Sequence, residues 1–128
     1  MKTSIIVPCY NEKATIEEII SKINSIDIDK EIIIIDDLST DGSREIIKNK
    51  IENNYENLTV IYHEKNCGKG AAIRSGIEKI TGEIAIIQDA DLEYDPSDYH
   101  KILNPIFNDK ADVVFGSRFV GSEEKNVL

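Results

Sequence analysis

The sequence predicts an α/β domain built on a doubly wound, mostly parallel sheet with helices on both faces. Three observations predict it. Five strand-like segments alternate regularly with four helix-like ones over the 128 residues. Most of the strand-like segments are unbroken Ile/Val runs, as expected where helices cover both faces of a parallel sheet. The stretches between them carry apolar residues at helical spacing. A chain of this length makes one domain with a core of useful size, so residues 1–128 are read as a single unit.

The first strand is expected at Ser4–Pro8, followed by a helix whose core stripe is Ile16, Ile19, Ile20 and Ile23. Glu31–Asp36 is the second strand. It runs into Asp37-Leu38-Ser39-Thr40-Asp41-Gly42, where Ser39, Thr40 or Asp41 is expected to cap the next helix. Leu58–His63 is the third strand, and the helix after it carries Ile73, Ile77 and Ile80, with Gly82 at its C-terminus. Glu83–Gln88 is the fourth. Asp95-Pro96 then reads as an N-cap and first helical position, opening a helix striped by Tyr99, Ile102, Leu103, Ile106 and Phe107, which Pro105 should kink or shorten. Asp112–Gly116 is the fifth strand. The polar segment after it stops as a new apolar stretch begins at Val127-Leu128, so the chain is expected to be cut rather than finished.

Composition narrows the function. Apolar residues make up 41% and charged residues 30%, the balance of a soluble globular domain. No apolar run is long enough to cross a bilayer, and the short N-terminal strand lacks a signal-peptide pattern. Cys9 and Cys67 show neither CxxC spacing nor a histidine arrangement that suggests zinc, so reduced thiols in the cytoplasm are expected. The net charge of −9 argues against general nucleic-acid binding. It also means that a phosphate-bearing ligand needs local neutralisation, by a metal ion or by a few placed cations.

In such a sheet, ligands sit at the carboxyl ends of the strands, and those tips are polar here. Asp89, Asp91 and Glu93 follow the fourth strand. If the chain stays extended, alternate side chains converge, and three carboxylates together repel unless a cation lies among them. Hard oxygen ligands suit Mg²⁺ or Mn²⁺, which would bridge to a diphosphate and stabilise it as it leaves. The bland reading, an acidic turn before the next helix, loses because the motif follows a buried strand in the company of other polar tips. At the second tip, Asp37 is expected to contact ligand, as acidic residues do with base or ribose in nucleotide-binding sheets. Tyr10 either packs against a base or is an ordinary exposed tyrosine near a turn. Glu12 either touches ligand or favours the helix N-terminus. Gly68-Lys69-Gly70 opens a helix, where anions are attracted, but it lacks the full GxxxxGK[ST] pattern, so a P-loop ATPase is excluded. Lys69 and Arg74 keep a plain reading as solvated cations. Arg118, past the fifth strand, is better placed to reach a phosphate. His63 and His100 receive no role.

Pro8-x-Tyr10-Asn11-Glu12, Asp36-Asp37-x-Ser39-Thr40-Asp41-Gly42, Asn66-x-Gly68-Lys69-Gly70, Gln88-Asp89-Ala90-Asp91-Leu92-Glu93 and Gly116-Ser117-Arg118-Phe119 agree in order and spacing with one family. Together they resemble the family 2 glycosyltransferases of GT-A, Rossmann-like fold, and within them the dolichyl-phosphate mannosyltransferase-like and polyprenyl-phosphate glycosyltransferase branch. The resemblance implies a nucleoside pocket of Pro8, Tyr10, Glu12, Ile35 and Asp37. It places Asp89 and Ala90 along the sugar and diphosphate. Asp91 and Glu93 would hold Mg²⁺ or Mn²⁺, with Asp89 within reach, and Arg118 would contact the donor diphosphate or the acceptor phosphate. Asp89, Asp91 and Arg118 would thus be the catalytic groups. Glu93 stands where glutamine is common and makes the metal site more anionic. Leu38 stands where glycine is usual, so that turn is expected to differ in backbone angles.

The implied reaction is a single in-line displacement at the anomeric carbon. The donor would be GDP-mannose or a UDP-hexose, and the acceptor a polyprenyl or dolichyl phosphate at the cytoplasmic face of a membrane. A phosphomonoester acceptor is largely ionised near neutral pH, its second pKa being about 6, so it has little need of a strong general base. The acceptor-binding part is expected beyond the fifth strand and absent here, which keeps open a donor-binding or regulatory fragment without transferase activity. A signal-receiver domain needs an acidic pair after strand one, where Pro8-Cys9-Tyr10 stands, and a lysine after strand five, where Ser117-Arg118 stands. A sugar-nucleotidyltransferase needs a glycine-rich basic loop after strand one, and the same segment refuses it.

Overall fold

A computed structural model describes residues 2–91, Pro96, Tyr99 and residues 126–127. The elements run β1 (Thr3–Cys9), α1 (Ile16–Ser25), β2 (Lys30–Asp36), α2 (Ser43–Ile46, continuing as a π-helical turn Ile47–Ile51), β3 (Leu58–Tyr62), α3 (Lys69–Ile77), β4 (Ile84–Ile87) and the two-residue β5 (Asn126–Val127). The sheet order is β3-β2-β1-β4-β5. Every pairing is parallel, with Thr3 opposite Lys30 and Ile84, and Ile32 opposite Leu58. Asp95 as a cap, the helix that Pro105 should kink and the strand expected at Asp112–Gly116 lie outside the described residues.

Strand alternation divides the isoleucines between two cores. Ile5, Val7, Ile32, Ile34, Ile84 and Ile86 face α1 and the π-turn, meeting Ile16, Ile19, Ile20, Ile23, Ile47 and Ile51. Ile6, Ile33, Ile35, Ala85 and Ile87 face the other way, onto Ala72 and Ile80, with Ile73 and Ile77 packed at the margin. Both faces of the sheet are therefore dry, which is why these strands are apolar at every position. Gly76 lets α3 lie close, since a Cβ there would meet Ile6 Cγ2 at 2.7 Å and Ile35 Cδ1 at 2.9 Å.

Two local expectations are corrected. α3 ends at Ile77, so Gly82 does not terminate it. Gly82 instead lies against the start of β1, where a Cβ would come within 2.6 Å of the Lys2 carbonyl oxygen. The residue at the N-cap of α2 is Gly42, with φ of 104°. Asp41, one residue earlier, accepts from the Ser43 N–H at 2.9 Å. Leu38 adopts left-handed geometry, with φ of 60°. A side chain in that region costs roughly 1–2 kcal/mol.

Candidate functional site

The strand order reverses direction between β1 and β4, and at the carboxyl ends of these strands lies a cavity of about 310 Å³. An open parallel sheet leaves such a crevice at its switch point. Pro8, Cys9, Tyr10 and Glu12 line it from the loop after β1, Asp37 from the loop after β2, and Asp89, Ala90 and Asp91 from the loop after β4. Asn66, Gly68, Lys69 and Ala72 close the remaining side from the start of α3.

The loop after β1 is fastened to the loop after β2. Asn11, at φ 55°, gives its N–H to Ser39 Oγ at 3.0 Å and accepts the Thr40 N–H on Oδ1 at 2.7 Å. The Glu12 N–H reaches Ser43 Oγ at 2.9 Å, and the Lys13 N–H reaches Asp41 Oδ2 at 3.1 Å. Tyr10 projects from this fastened loop and is 46% exposed on the cavity wall. Thr15 precedes α1 without capping it; its hydroxyl donates to the Ala90 carbonyl at 2.5 Å, tying α1 to the end of β4.

The adjacent aspartates at the end of β2 do different work. Asp36 is fully buried and accepts from Arg44 Nε at 2.6 Å and Ser39 Oγ at 2.6 Å. Arg44 also donates Nη2–H to the His63 carbonyl at 2.6 Å, joining β2, α2 and the end of β3. Asp37 turns toward the cavity and accepts the N–H groups of Cys67 at 2.9 Å and Gly68 at 2.8 Å. His63 Nδ1 lies 2.9 Å from Asp37 Oδ1, with its Nε2 at 2.8 Å from Ser75 Oγ. Burial alone would raise the Asp37 pKa; the bonds from Cys67, His63 and Gly68 outweigh it and hold the carboxyl below its ordinary value.

On the opposite wall, Lys69 forms an ion pair with Asp89, which is 6% exposed. Glu12 has a raised pKa, through burial first and then the negative charges of Asp91, Asp41 and Asp89. Cys9 is buried beneath the wall, and burial together with Asp36 pushes its thiol up to about 12. The cavity thus gathers carboxylates around a single lysine among its described lining residues. Asp89 and Asp91 present hard oxygen donors to it, the chemistry that fits Mg²⁺ or Mn²⁺.

Pro8, Tyr10, Glu12, Asp37, Asp89, Ala90 and Asp91 are brought together as the sequence suggested. Ile35 is not on this wall; its side chain is fully buried in the α3-facing core. Glu93 and Arg118 lie outside the described residues. Lys69 is no simple solvated cation, since Asp89 pairs with it. Its place after glycine at the mouth of a helix was the available signal. His63 also has a place here, next to Asp37, and nothing in its local sequence announces that.

The model for "Glycosyl transferase family 2" matches residues 4–127 of the chain. The dolichol-phosphate mannosyltransferase of Pyrococcus furiosus is 33% identical over 122 residues, covering 94% of this chain and 34% of that protein. A UDP-N-acetylglucosamine–dolichyl-phosphate N-acetylglucosaminyltransferase of Methanococcus voltae is 34% identical, covering 94% of this chain and 53% of the relative. The chain thus spans between about a third and about half of these curated relatives. Among solved structures, S. aureus TarS 1–349 in complex with UDP-GlcNAc matches with a TM-score of 0.73 and 26% identity, over 95% of this chain and 37% of that one. The mannosyltransferase PcManGT of Pyrobaculum calidifontis, in complex with GDP-Man and Mn²⁺, matches with a TM-score of 0.65 and 33% identity, over 70% of this chain and 27% of that one.

Proposed function

The chain belongs to the family 2 glycosyltransferases, and from that premise we propose that it forms the nucleotide-sugar-binding part of a metal-dependent, inverting glycosyltransferase acting on a polyprenyl phosphate. One observation carries this reading: the switch-point cavity is walled by Tyr10, Glu12, Asp37, Asp89 and Asp91, with Lys69 at its edge. In an acidic chain that arrangement is costly unless its ligand brings or recruits positive charge. A nucleoside diphosphate sugar bound with a divalent metal does so.

In this reading Tyr10 stacks on the base, and the free acceptor capacity of Asp37 meets base or ribose donors. Asp91, with Asp89 and Glu93, holds Mg²⁺ or Mn²⁺, which when bound offsets the charge developing on the leaving diphosphate. Lys69 adds a second cation near the phosphates, and Arg118 a third. Collapse of the acceptor phosphate onto the anomeric carbon, opposite the leaving group, inverts the configuration. The acceptor class is taken from the relatives, whose names specify dolichyl phosphate. No helix among the described residues is long and apolar enough to cross a membrane; the reading has the acceptor presented at a membrane surface because its own polyprenyl chain is a lipid.

The test is calorimetric titration with UDP, GDP and ADP, each with and without Mn²⁺, repeated on Asp91→Ala. Mn²⁺-dependent binding of UDP or GDP is expected, weakened at least tenfold by the substitution. Absence of binding under every condition would reject the donor-site assignment. Binding without sugar transfer to a polyprenyl phosphate would favour a donor-binding piece alone.

A further inference from the structure

Asp37, His63 and Cys67 come from the end of β2, the end of β3 and the loop before α3, and the fold brings them into one cluster. One ligand atom from each lies within 4.8 Å of the other two. The donor set is a carboxylate oxygen, an imidazole nitrogen and a thiol sulfur. That mixture differs in kind from the all-oxygen set of Asp89 and Asp91. Oxygen donors select Mg²⁺ and Mn²⁺, whereas imidazole and thiolate select zinc-like cations. We propose that Asp37, His63 and Cys67 form a second metal site, for a borderline-soft divalent ion of the Zn²⁺ class, separate from the donor's metal.

The geometry is close to what such an ion needs. Tetrahedral Zn²⁺, with bonds of about 2.0–2.3 Å, holds its ligand atoms roughly 3.3–3.6 Å apart. His63 Nδ1 and Asp37 Oδ1 stand at 2.9 Å and need to part by about half an ångström. Cys67 is exposed and its Sγ makes a 3.4 Å contact with the Lys65 carbonyl, weak enough for the side chain to swing inward.

The hydrogen-bond partners allow the change. Because the Asp37 carboxylate can only accept, His63 Nδ1 donates to it, while Nε2 lies against the Ser75 hydroxyl, which can donate or accept. With metal, Nδ1 offers its lone pair and the imidazole proton moves to Nε2, which donates to Ser75 Oγ. A hydroxyl serves either tautomer, and a histidine ligand with its far nitrogen so held is the usual outer-shell arrangement. The proton released to solvent is that of the Cys67 thiol, which becomes the coordinating thiolate. Asp37 has no proton to lose, being ionised at neutral pH, and keeps its Gly68 N–H on Oδ2. Water takes the fourth position. Such an ion clips two strand ends to the start of α3 and stabilises the folded state by mass action.

Co²⁺ is the probe, because thiolate ligation gives it a charge-transfer absorption that oxygen ligation does not. Titration of the full chain is expected to produce this band at one Co²⁺ per chain and to displace it with Zn²⁺. Cys67→Ser, at an exposed position, should abolish the band, and His63→Gln and Asp37→Asn should each weaken Co²⁺ binding at least tenfold. Zn²⁺ should raise the thermal midpoint of the parent chain but not of Cys67→Ser. Asp91→Ala should leave the band intact even though it weakens Mn²⁺-dependent nucleotide binding, so the two metals are lost separately although Asp37 borders both. No band at all, a band that survives Cys67→Ser, or one that is unaffected by His63→Gln would overturn the proposal.

Discussion

At the amino ends of the strands the Glu31 carboxylate accepts the Ser4 hydroxyl at 2.5 Å, the Thr81 N–H at 2.6 Å and the Thr81 hydroxyl at 2.9 Å. Ser4 Oγ in turn accepts the Gly82 N–H at 2.9 Å, and Lys2 Nζ reaches Thr81. At the carboxyl ends, Glu12, Asp37, Asp89 and Asp91 line a cavity; Asp37 is bonded to Cys67, Gly68 and His63 and Asp89 to Lys69, while Glu12 sits among like charges. The pKa directions record the difference. Burial would raise Glu31, but the bonds from Ser4 and Thr81 outweigh it and hold it low, whereas Glu12 is held high by burial and by its acidic neighbours. A carboxylate that completes a network of backbone and hydroxyl donors is part of the fold. A carboxylate such as Glu12, crowded by like charges beside open space, is a demand for a ligand, and that contrast separates the two kinds of carboxylate better than residue type does.

Asp36 is the sharpest test, because it sits at the functional end yet is bonded like Glu31. Asp36→Ala strands the Arg44 guanidinium, and unpairing a buried ion partner costs about 3–5 kcal/mol. Urea unfolding should show that loss; a change under about 1 kcal/mol would break the distinction. Next comes Gly82→Ala, where the added methyl meets backbone atoms at 2.6 and 3.0 Å that cannot yield easily. About 1–3 kcal/mol of destabilisation is expected from such overpacking, read as a lowered thermal midpoint with the cavity carboxylates untouched.

The smallest effect is electrostatic, and its sign matters. Because the folded-state pKa of Glu12 is raised, its contribution is present below the ordinary glutamate value and is lost as pH rises through the raised one. Glu31 is the reverse: its contribution is present above the ordinary value and is lost as pH falls through its lowered one. Glu12→Gln should therefore flatten the alkaline side of the acidic-range stability profile and, at neutral pH, slightly stabilise the metal-free chain. Glu31→Gln should flatten the acid side and destabilise. Matching slopes for the two variants would erase the comparison.

The sheet and most of the cavity wall were legible because each rests on local sequence. Ile32–Ile35 must be a doubly covered strand, since four consecutive isoleucines cannot share one face. Tyr10, Asp37, Asp89 and Asp91 are found by looking just past strand ends. Pairings across the chain were not legible. Lys69 with Asp89, Asp37 with the Cys67 and Gly68 amides, and Arg44 with Asp36 depend on strand order, which spacing does not encode. Gly82 misled for the same reason: its neighbour is β1, 78 positions away at Ser4, rather than the helix just before it.

The burial of Cys9 has a practical side. Its thiol is inaccessible and, with its pKa pushed up to about 12, almost entirely protonated at neutral pH. Cys67, the chain's second cysteine, is exposed beside the cavity. A maleimide or iodoacetamide dye added to the unmutated protein will therefore mark one position only, at the rim, and its emission can follow a ligand's arrival in real time.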